Sequence, residues 1–169
     1  SESQVAALSA AQVGAIEVGD LQGMSSGQIA AIDPDVMGGL TTAQIAGLGS
    51  AQISKLTTDQ IPELSTAQVR AFTTENIQLL TTEQVESLTT AQVAALTTAQ
   101  VAQLTRPQIT ALTDSQVSAL TTAQVAALTT AQISRLDADQ LGALSTSQVV
   151  ALETEDVAAL TTDQIVELS

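Results

Sequence analysis

The sequence predicts an all-α solenoid, a superhelix of very short helices with one helix in each eight-residue repeat. Two observations predict this fold. The apolar residues recur with a strict period of eight, and helix-capping residues occupy a fixed place in every period. We number each octad from position 1 to position 8, so that the first octad is residues 1–8 and the last complete octad is residues 161–168.

Two positions of the octad are always apolar. Position 8 is Leu, Ile, Met or Phe72, and position 5 is Val, Ile, Leu or Met, through all 21 octads. The consensus Leu-Thr-Thr-Ala-Gln-Val-Ala-Ala stands unaltered at residues 88–95 and 120–127. In one continuous helix, which turns about 100° per residue, this stripe would drift by ~80° per octad. In a strand, positions 5 and 8 would point to opposite faces, so a β-solenoid is the alternative fold.

The polar residues favour the helical interpretation. Position 1 is Ser, Thr, Asp or Gly except at Glu17 and Glu153, and position 4 is Gln in 17 of 21 octads. Thr-x-x-Gln is a capping box, and the apolar residues at positions 8 and 5 stand where a hydrophobic staple requires them. Of the 18 acidic residues, 15 lie at positions 1–4, where the helix dipole favours negative charge. Each octad is therefore predicted to begin a new helix.

Helices of this length are unstable alone, so their stability must come from stacking the two apolar positions into a thin continuous core. The pattern does not specify the handedness of the superhelix. Pro34 and Pro107 fall in the first turn of their helices, where proline is tolerated. Pro62 lies deeper, at position 6, and should distort its octad.

The chain is predicted to be a single repeat array over residues 1–169, with degenerate octads at 1–39 and regular octads at 40–169. Eight of the nine glycines lie in the first 49 residues. This degeneracy indicates relaxed packing or an N-terminal capping unit, or else a contact surface for another subunit. The apolar register runs to both ends, as expected if the array continued into more chain or into another molecule.

The composition excludes many functions. There is no Cys, His, Trp or Tyr, so thiolate nucleophiles, histidine bases and His or Cys metal sites are ruled out. The net charge of −14 opposes binding to nucleic acid or to an anionic membrane, and no apolar run approaches the ~18 residues of a membrane span. We predict no enzyme activity, no catalytic residue, no cofactor and no membrane insertion.

Two patterns suggest a ligand. The acidic segments 33–35, 137–139 and 153–156 carry the oxygen ligands that calcium prefers, but they lack an Asp-x-Asp-x-Asp-Gly loop, and helix capping accounts for them. Calcium is therefore only a possible partner, and no metal site is assigned. Regularly spaced Thr pairs could bind ice or carry O-glycans, although the first Thr of each pair is already required as the cap.

The octads resemble the Leu-Thr-Thr-Ala-Gln-Val/Ile-Ala-Ala tracts of large secreted or surface proteins of bacteria, closely over 40–168 and loosely over 1–39. This resemblance implies an extracellular, structural or adhesive spacer. We therefore expect a non-enzymatic, acidic structural protein at the cell surface. It would act as an extended stalk or self-assemble into filaments by end-to-end stacking, with another copy or a longer parent chain as the partner. The alternatives are an adhesin-type α-solenoid that captures a ligand through its degenerate N-terminal octads, and an ice-binding protein.

Overall fold

The computed structural model describes residues 1–168, and these residues form an all-α solenoid of short helices, as predicted. They contain nineteen α-helices of four to six residues and one 3-10 helix, and none of them lies in a strand. The β-solenoid alternative is therefore wrong. In all but one octad the backbone is helical near the middle, and it is extended around the junctions, as at Leu80 (φ −61°, ψ 137°) and Thr81 (φ −72°, ψ 165°).

The contacts divide the chain into two units, Ser1–Leu88 and Thr89–Ser169. The first unit contains α1 (Glu2–Val5), α2 (Ala10–Gly14), α3 (Val18–Gly23), α4 (Ser26–Ala30), the 3-10 helix (Pro34–Gly39), α5 (Thr42–Gly47), α6 (Ser50–Ile53), α7 (Thr66–Ala71), α8 (Thr74–Leu79) and α9 (Thr82–Glu86). The second contains α10 (Thr90–Ala95), α11 (Thr98–Ala102), α12 (Arg106–Thr110), α13 (Asp114–Ser118), α14 (Thr122–Val125), α15 (Thr130–Ile133), α16 (Ala138–Gly142), α17 (Thr146–Val150), α18 (Thr154–Ala159) and α19 (Thr162–Val166).

One octad, residues 57–64, has turns in place of a regular helix. It contains Pro62, which has no backbone N–H to donate within the helix. The prediction that Pro62 distorts its octad is confirmed. The octad still has the backbone hydrogen bonds of a regular octad. The N–H of Ile61 donates to the carbonyl of Thr57 at 3.2 Å, and the N–H of Leu64 donates to that of Ile61 at 3.2 Å.

The core of each unit consists of the two apolar positions of the octad, as predicted. Position 5 is completely or almost completely buried from Val13 to Leu141, and position 8 is nearly as buried from Ile32 to Leu136. Burial of two aliphatic side chains per octad supplies the stability that a helix of one turn lacks.

Within each unit, a helix packs against the helix three octads further along the chain. Examples are α1 with α4 and α5 with α7 in the first unit, and α10 with α13 and α16 with α19 in the second. Side-chain hydrogen bonds, described below, connect octads that are four apart. One turn of the superhelix therefore comprises between three and four octads.

Close backbone packing explains two of the N-terminal glycines. The second octad packs against the 3-10 helix so tightly that a Cβ atom at Gly14 would lie 2.5 Å from the carbonyl oxygen of Gly39. A Cβ atom at Gly39 would collide with the backbone of Ala10. Both glycines have negative φ, so it is the space, and not the backbone conformation, that requires glycine.

Candidate functional site

The repeating element of the chain is a capping box at the start of almost every helix. In a typical octad, the backbone N–H of Thr121 donates to Oε1 of Gln124 at 2.7 Å. In return, the N–H of Gln124 donates to Oγ1 of Thr121 at 3.2 Å. The box satisfies backbone donors that a helix N-terminus otherwise leaves unpaired. The capping prediction is confirmed.

The same glutamine also connects one superhelical turn to the preceding one. Nε2 of Gln124 donates to the carbonyl oxygens of Val93 at 2.8 Å and Leu96 at 2.7 Å, which lie 31 and 28 residues earlier. These carbonyls belong to the end of their own short helix, where backbone acceptors lack partners within the helix. Gln124 is 2 % exposed, so one buried amide forms hydrogen bonds with the start of its own helix and with the end of an earlier helix.

We call this series of position-4 side chains the amide ladder. In the first unit it comprises Gln44 on Val13 and Ile16, Gln52 on Leu21 and Met24, Gln60 on Ile29 and Ile32, Gln68 on Met37 and Leu40, and Gln84 on Ile53 and Leu56. In the second it comprises Gln124, Gln132 on Val101 and Leu104, Gln140 on Ile109 and Leu112, Gln148 on Val117 and Leu120, and Gln164 on Leu136.

Two buried exceptions show what the ladder requires. Asn76 is one methylene shorter than Gln and donates to the carbonyl of Leu48 at a longer distance, 3.3 Å. Asp156 is 3 % exposed and accepts from the N–H of Glu153 at 3.1 Å, so it completes the local cap. Its carboxylate has no N–H to offer to the preceding turn. The octad that contains Asp156 therefore lacks the inter-turn donor.

In the first octads, the position-4 amides form the local capping box and make no inter-turn contact among the described residues. Oε1 of Gln12 accepts from the N–H of Ser9 at 2.9 Å, and Oε1 of Gln28 accepts from that of Ser25 at 2.9 Å. Gln4 has the equivalent contact with the terminal ammonium group. Among residues 1–168, Nε2 of these three glutamines has no hydrogen-bond acceptor. The position-8 side chains of the first three octads, Leu8, Ile16 and Met24, are only half-buried.

In the last octads, the carbonyls of the acceptor position receive no ladder donor from the described residues. The position-5 side chains become exposed, with Val157 at 39 % and Ile165 at 46 %, and their neighbour Val150 reaches 79 %. No residue within 1–168 donates to the carbonyl oxygens of Leu144, Leu152 and Leu160, which occupy the acceptor position of the ladder. A cavity of about 180 Å³ is lined by residues of α17, by Gly142 and Leu144 before it, and by Glu167 and Leu168 after α19.

The acidic segments that could have suggested calcium act as helix caps. Oδ1 of Asp33 accepts from the N–H of Asp35 at 3.0 Å, and Oδ1 of Asp137 accepts from that of Gln140 at 2.8 Å. Hydrogen bonds from its own backbone N–H and from the hydroxyls of Thr81 and Thr82 lower the pKa of Glu83 below its usual value. Over the described part of the chain, no group of three or more acidic side chains is placed to hold a metal ion.

None of the helices between residues 1 and 168 has the length and apolar composition required to span a bilayer. The prediction of no enzyme activity, and that of no catalytic, cofactor or metal residue, stay predictions.

Comparison with known families decides the kind of repeat. The sequence profile of the ALTTAQ repeat matches residues 29–66, 62–90, 122–154 and 133–169, which together make up more than half of the chain. The chain belongs to the ALTTAQ repeat family. No curated protein matches it. The name spells the segment Ala-Leu-Thr-Thr-Ala-Gln, and its final residue is the Gln that forms the ladder. The prediction of a tandem octapeptide tract is thus confirmed.

The ladder is the feature that the sequence prediction missed. Its signal is present in the chain, since Glu serves a capping box as well as Gln does and complements the helix dipole better. An acidic chain with ALTTAQ repeats nevertheless has Gln at position 4 in 17 octads and Glu in none. This preference indicates that the amide N–H atoms are used, and not only the oxygen.

Proposed function

We propose that the chain is a non-enzymatic structural protein, an extended extracellular repeat scaffold that acts as a stalk or assembles into filaments by end-to-end stacking. The observation that carries the proposal is the amide ladder. Each additional octad repeats the same two-carbonyl contact and buries the same two apolar side chains. An array of this kind can grow in length without a new type of interaction, which is the property that a spacer or a filament needs.

The surface chemistry supports the same role. Outside the two buried apolar positions and the ladder, the regular octads carry mainly Ala, Ser and Thr, with acidic side chains at the helix starts. A net charge of −14 opposes sideways clumping of neighbouring molecules and keeps a long surface soluble. The extracellular location is supported by the resemblance of the octads to tracts in secreted and surface proteins of bacteria.

The experiment that tests the scaffold role is small-angle X-ray scattering of the purified chain at low concentration, followed by electron microscopy across concentration and calcium. A compact globule of this length has a radius of gyration of about 15 Å. We expect a clearly larger radius and a rod-like profile. A radius equal to that of a compact globule would contradict the extended scaffold.

A further inference from the structure

One interior acceptor of the amide ladder has no N–H donor. It is the carbonyl oxygen of Leu128, which accepts no hydrogen bond from residues 1–168. The equivalent carbonyl oxygens on either side of it, those of Leu120 and Leu136, each accept from a ladder Gln at 2.7 Å. These donors come 28 residues later in the chain, and 28 residues after Leu128 stands Asp156, which has no amide.

The local cap holds the carboxylate of Asp156 in the ladder position. The side chain is 3 % exposed, and Oδ2 accepts from the N–H of Glu153 at 3.1 Å, as Oε1 of a ladder Gln accepts from its own cap residue. The other oxygen, Oδ1, accepts no hydrogen bond from the described residues. It therefore takes the place in which a ladder Gln carries its Nε2.

Asn76 shows where this second oxygen lies. Asn and Asp are isosteric, and Asn76 occupies the same octad position, with its Oδ1 accepting from the N–H of its cap residue at 3.0 Å. Its Nδ2 lies 3.3 Å from the carbonyl oxygen of Leu48 in the preceding turn. By this equivalence, Oδ1 of Asp156 and the carbonyl oxygen of Leu128 face each other at about 3.3 Å. Both are acceptors, so neither supplies a proton to the other.

No cationic side chain of the protein balances this carboxylate. The preceding turn meets α18 through α15, and residues 121–134 contain no charged side chain. Asp156 forms no ion pair with a described residue. A buried charge is costly unless it is paired or coordinates a metal ion. Two facing oxygens with one negative charge between them are the arrangement that a hard cation stabilises.

We propose that Asp156 and the carbonyl oxygens of Leu128 and Val125 bind a calcium ion in place of the ladder amide. Val125 lies 31 residues before Asp156, in the second acceptor place of the ladder, which Val117 occupies for Gln148. Water molecules supply the remaining ligands of the shell. This site goes beyond the scaffold role, since it gives the interior of the array a ligand. Composition assigned no metal here, because two of the three protein ligands are backbone carbonyls.

The separation of the two oxygens favours calcium over magnesium. At the ~2.3–2.6 Å of calcium–oxygen contacts, oxygens 3.3 Å apart subtend about 80–90° at the ion, an angle common between neighbouring calcium ligands. At the ~2.0–2.1 Å of magnesium contacts, the same pair subtends about 105–110°, whereas an octahedral shell requires about 90°. Because the site has a single carboxylate, we expect a dissociation constant on the order of 10⁻⁴–10⁻³ M.

The test is a calcium titration of the 169-residue chain from about 0.01 to 10 mM, followed by NMR of the carbonyl and carboxyl carbons. Asp156→Gln removes the carboxylate and supplies a ladder amide, so it should stay folded without calcium, which circular dichroism checks. Asp156→Asn is a second variant, for which Asn76 is the precedent. The control Glu155→Gln removes the same charge from the adjacent, exposed position. A parallel titration uses magnesium.

We expect the carbonyl signals of Val125 and Leu128 and the carboxyl signal of Asp156 to shift along one binding curve. Each Asp156 variant should raise the dissociation constant about tenfold or more, and Glu155→Gln should change it by less than about threefold. Magnesium should bind at least about tenfold more weakly than calcium.

Three results would overturn the site. The first is no binding at about 10 mM calcium, which lies well above the expected constant. The second is a set of shifts confined to exposed carboxyl groups such as those of Glu153 and Glu155. The third is an equal loss of affinity in Asp156→Gln and Glu155→Gln, since a diffuse acidic surface predicts that equality. An equal affinity for magnesium would overturn the choice of calcium.

Discussion

Nε2 of Gln124 donates to the carbonyl oxygen of Leu96 at 2.7 Å, although 28 residues of chain separate the two. This hydrogen bond joins the start of one helix to the end of another in the preceding superhelical turn. Repeated within each unit, it makes the turns, and not the individual helices, the stable elements of the fold.

Removal of one ladder donor should lower the free energy of unfolding. Gln124→Glu keeps the capping oxygen, leaves the carbonyls of Val93 and Leu96 unpaired, and places a charge at a buried position. We expect a loss of ~2–4 kcal/mol in the free energy of unfolding, measured by urea denaturation at low protein concentration. The matched control is Gln12→Glu, whose amide has no acceptor within the described chain and which should change stability by less than ~0.5 kcal/mol. Similar losses for both variants would argue against the ladder.

The ladder can also be extended. Asp156→Gln should stabilise the chain by about 1 kcal/mol, because the new amide can reach the carbonyls 31 and 28 residues earlier, those of Val125 and Leu128. Asp163→Gln removes the same charge from an exposed position and serves as the control. Thermal denaturation followed by circular dichroism compares the two. A gain no larger than that of the control would mean that position 156 does not accept the inter-turn contact.

A core side chain should contribute more to the free energy of unfolding than a cap hydroxyl does. Leu96 is 5 % exposed, so Leu96→Asp places an unpaired charge in the thin core and should cost several kcal/mol, roughly the scale for buried polar groups. Thr97→Ala removes one cap hydroxyl and should cost about 1 kcal/mol. Thr98→Ala, at the exposed next position, should be near neutral. Unfolding free energies that do not follow this order would contradict the assigned octad positions.

The tight packing of the second octad on the 3-10 helix predicts a contrast between two glycines. Gly39→Ala forces its Cβ into the backbone of Ala10 and should destabilise by more than ~1 kcal/mol, since backbone cannot move aside as a flexible side chain can. Gly23→Ala meets nothing within 4 Å and should stabilise by ~0.4–1 kcal/mol, because it restricts the unfolded chain. The melting temperatures of the two variants should therefore shift in opposite directions.

The pKa of the Glu83 carboxyl group should lie below its usual value, because hydrogen bonds from its backbone N–H and from two Thr hydroxyls favour the charged form. Its contribution to stability is then complete above the pKa of the unfolded chain and is lost as the pH falls through the lower folded value. Carbon-detected NMR titration of the side chain measures this directly. A midpoint in the usual range of an exposed Glu would contradict these hydrogen bonds, and Glu83→Gln should abolish this part of the pH dependence.

Local rules were sufficient to predict most of the fold. Capping residues such as Thr97, the apolar pair at positions 5 and 8, and the disruption at Pro62 all depend on neighbours within one octad. The amide ladder depends on how many octads form a turn, and no local pattern encodes that number. Within one octad, the capping box accounts for Oε1 of Gln124 and gives no role to its Nε2. The packing of Gly14 on Gly39 was hidden for the same reason, since their contact also spans a turn.

The equivalence of the octads in the ladder has a genetic consequence. Gain or loss of eight codons within the regular tract leaves every glutamine four octads after a matching pair of carbonyls, so such a change is structurally silent apart from length. Insertions that are not a whole multiple of eight codons would misplace the donors of a whole turn. The first five octads differ, because the fit between Gly14 and Gly39 is specific to those two sites and an extra octad between them would destroy it. Unequal recombination should therefore have changed the number of regular octads while the N-terminal turn stayed constant in length.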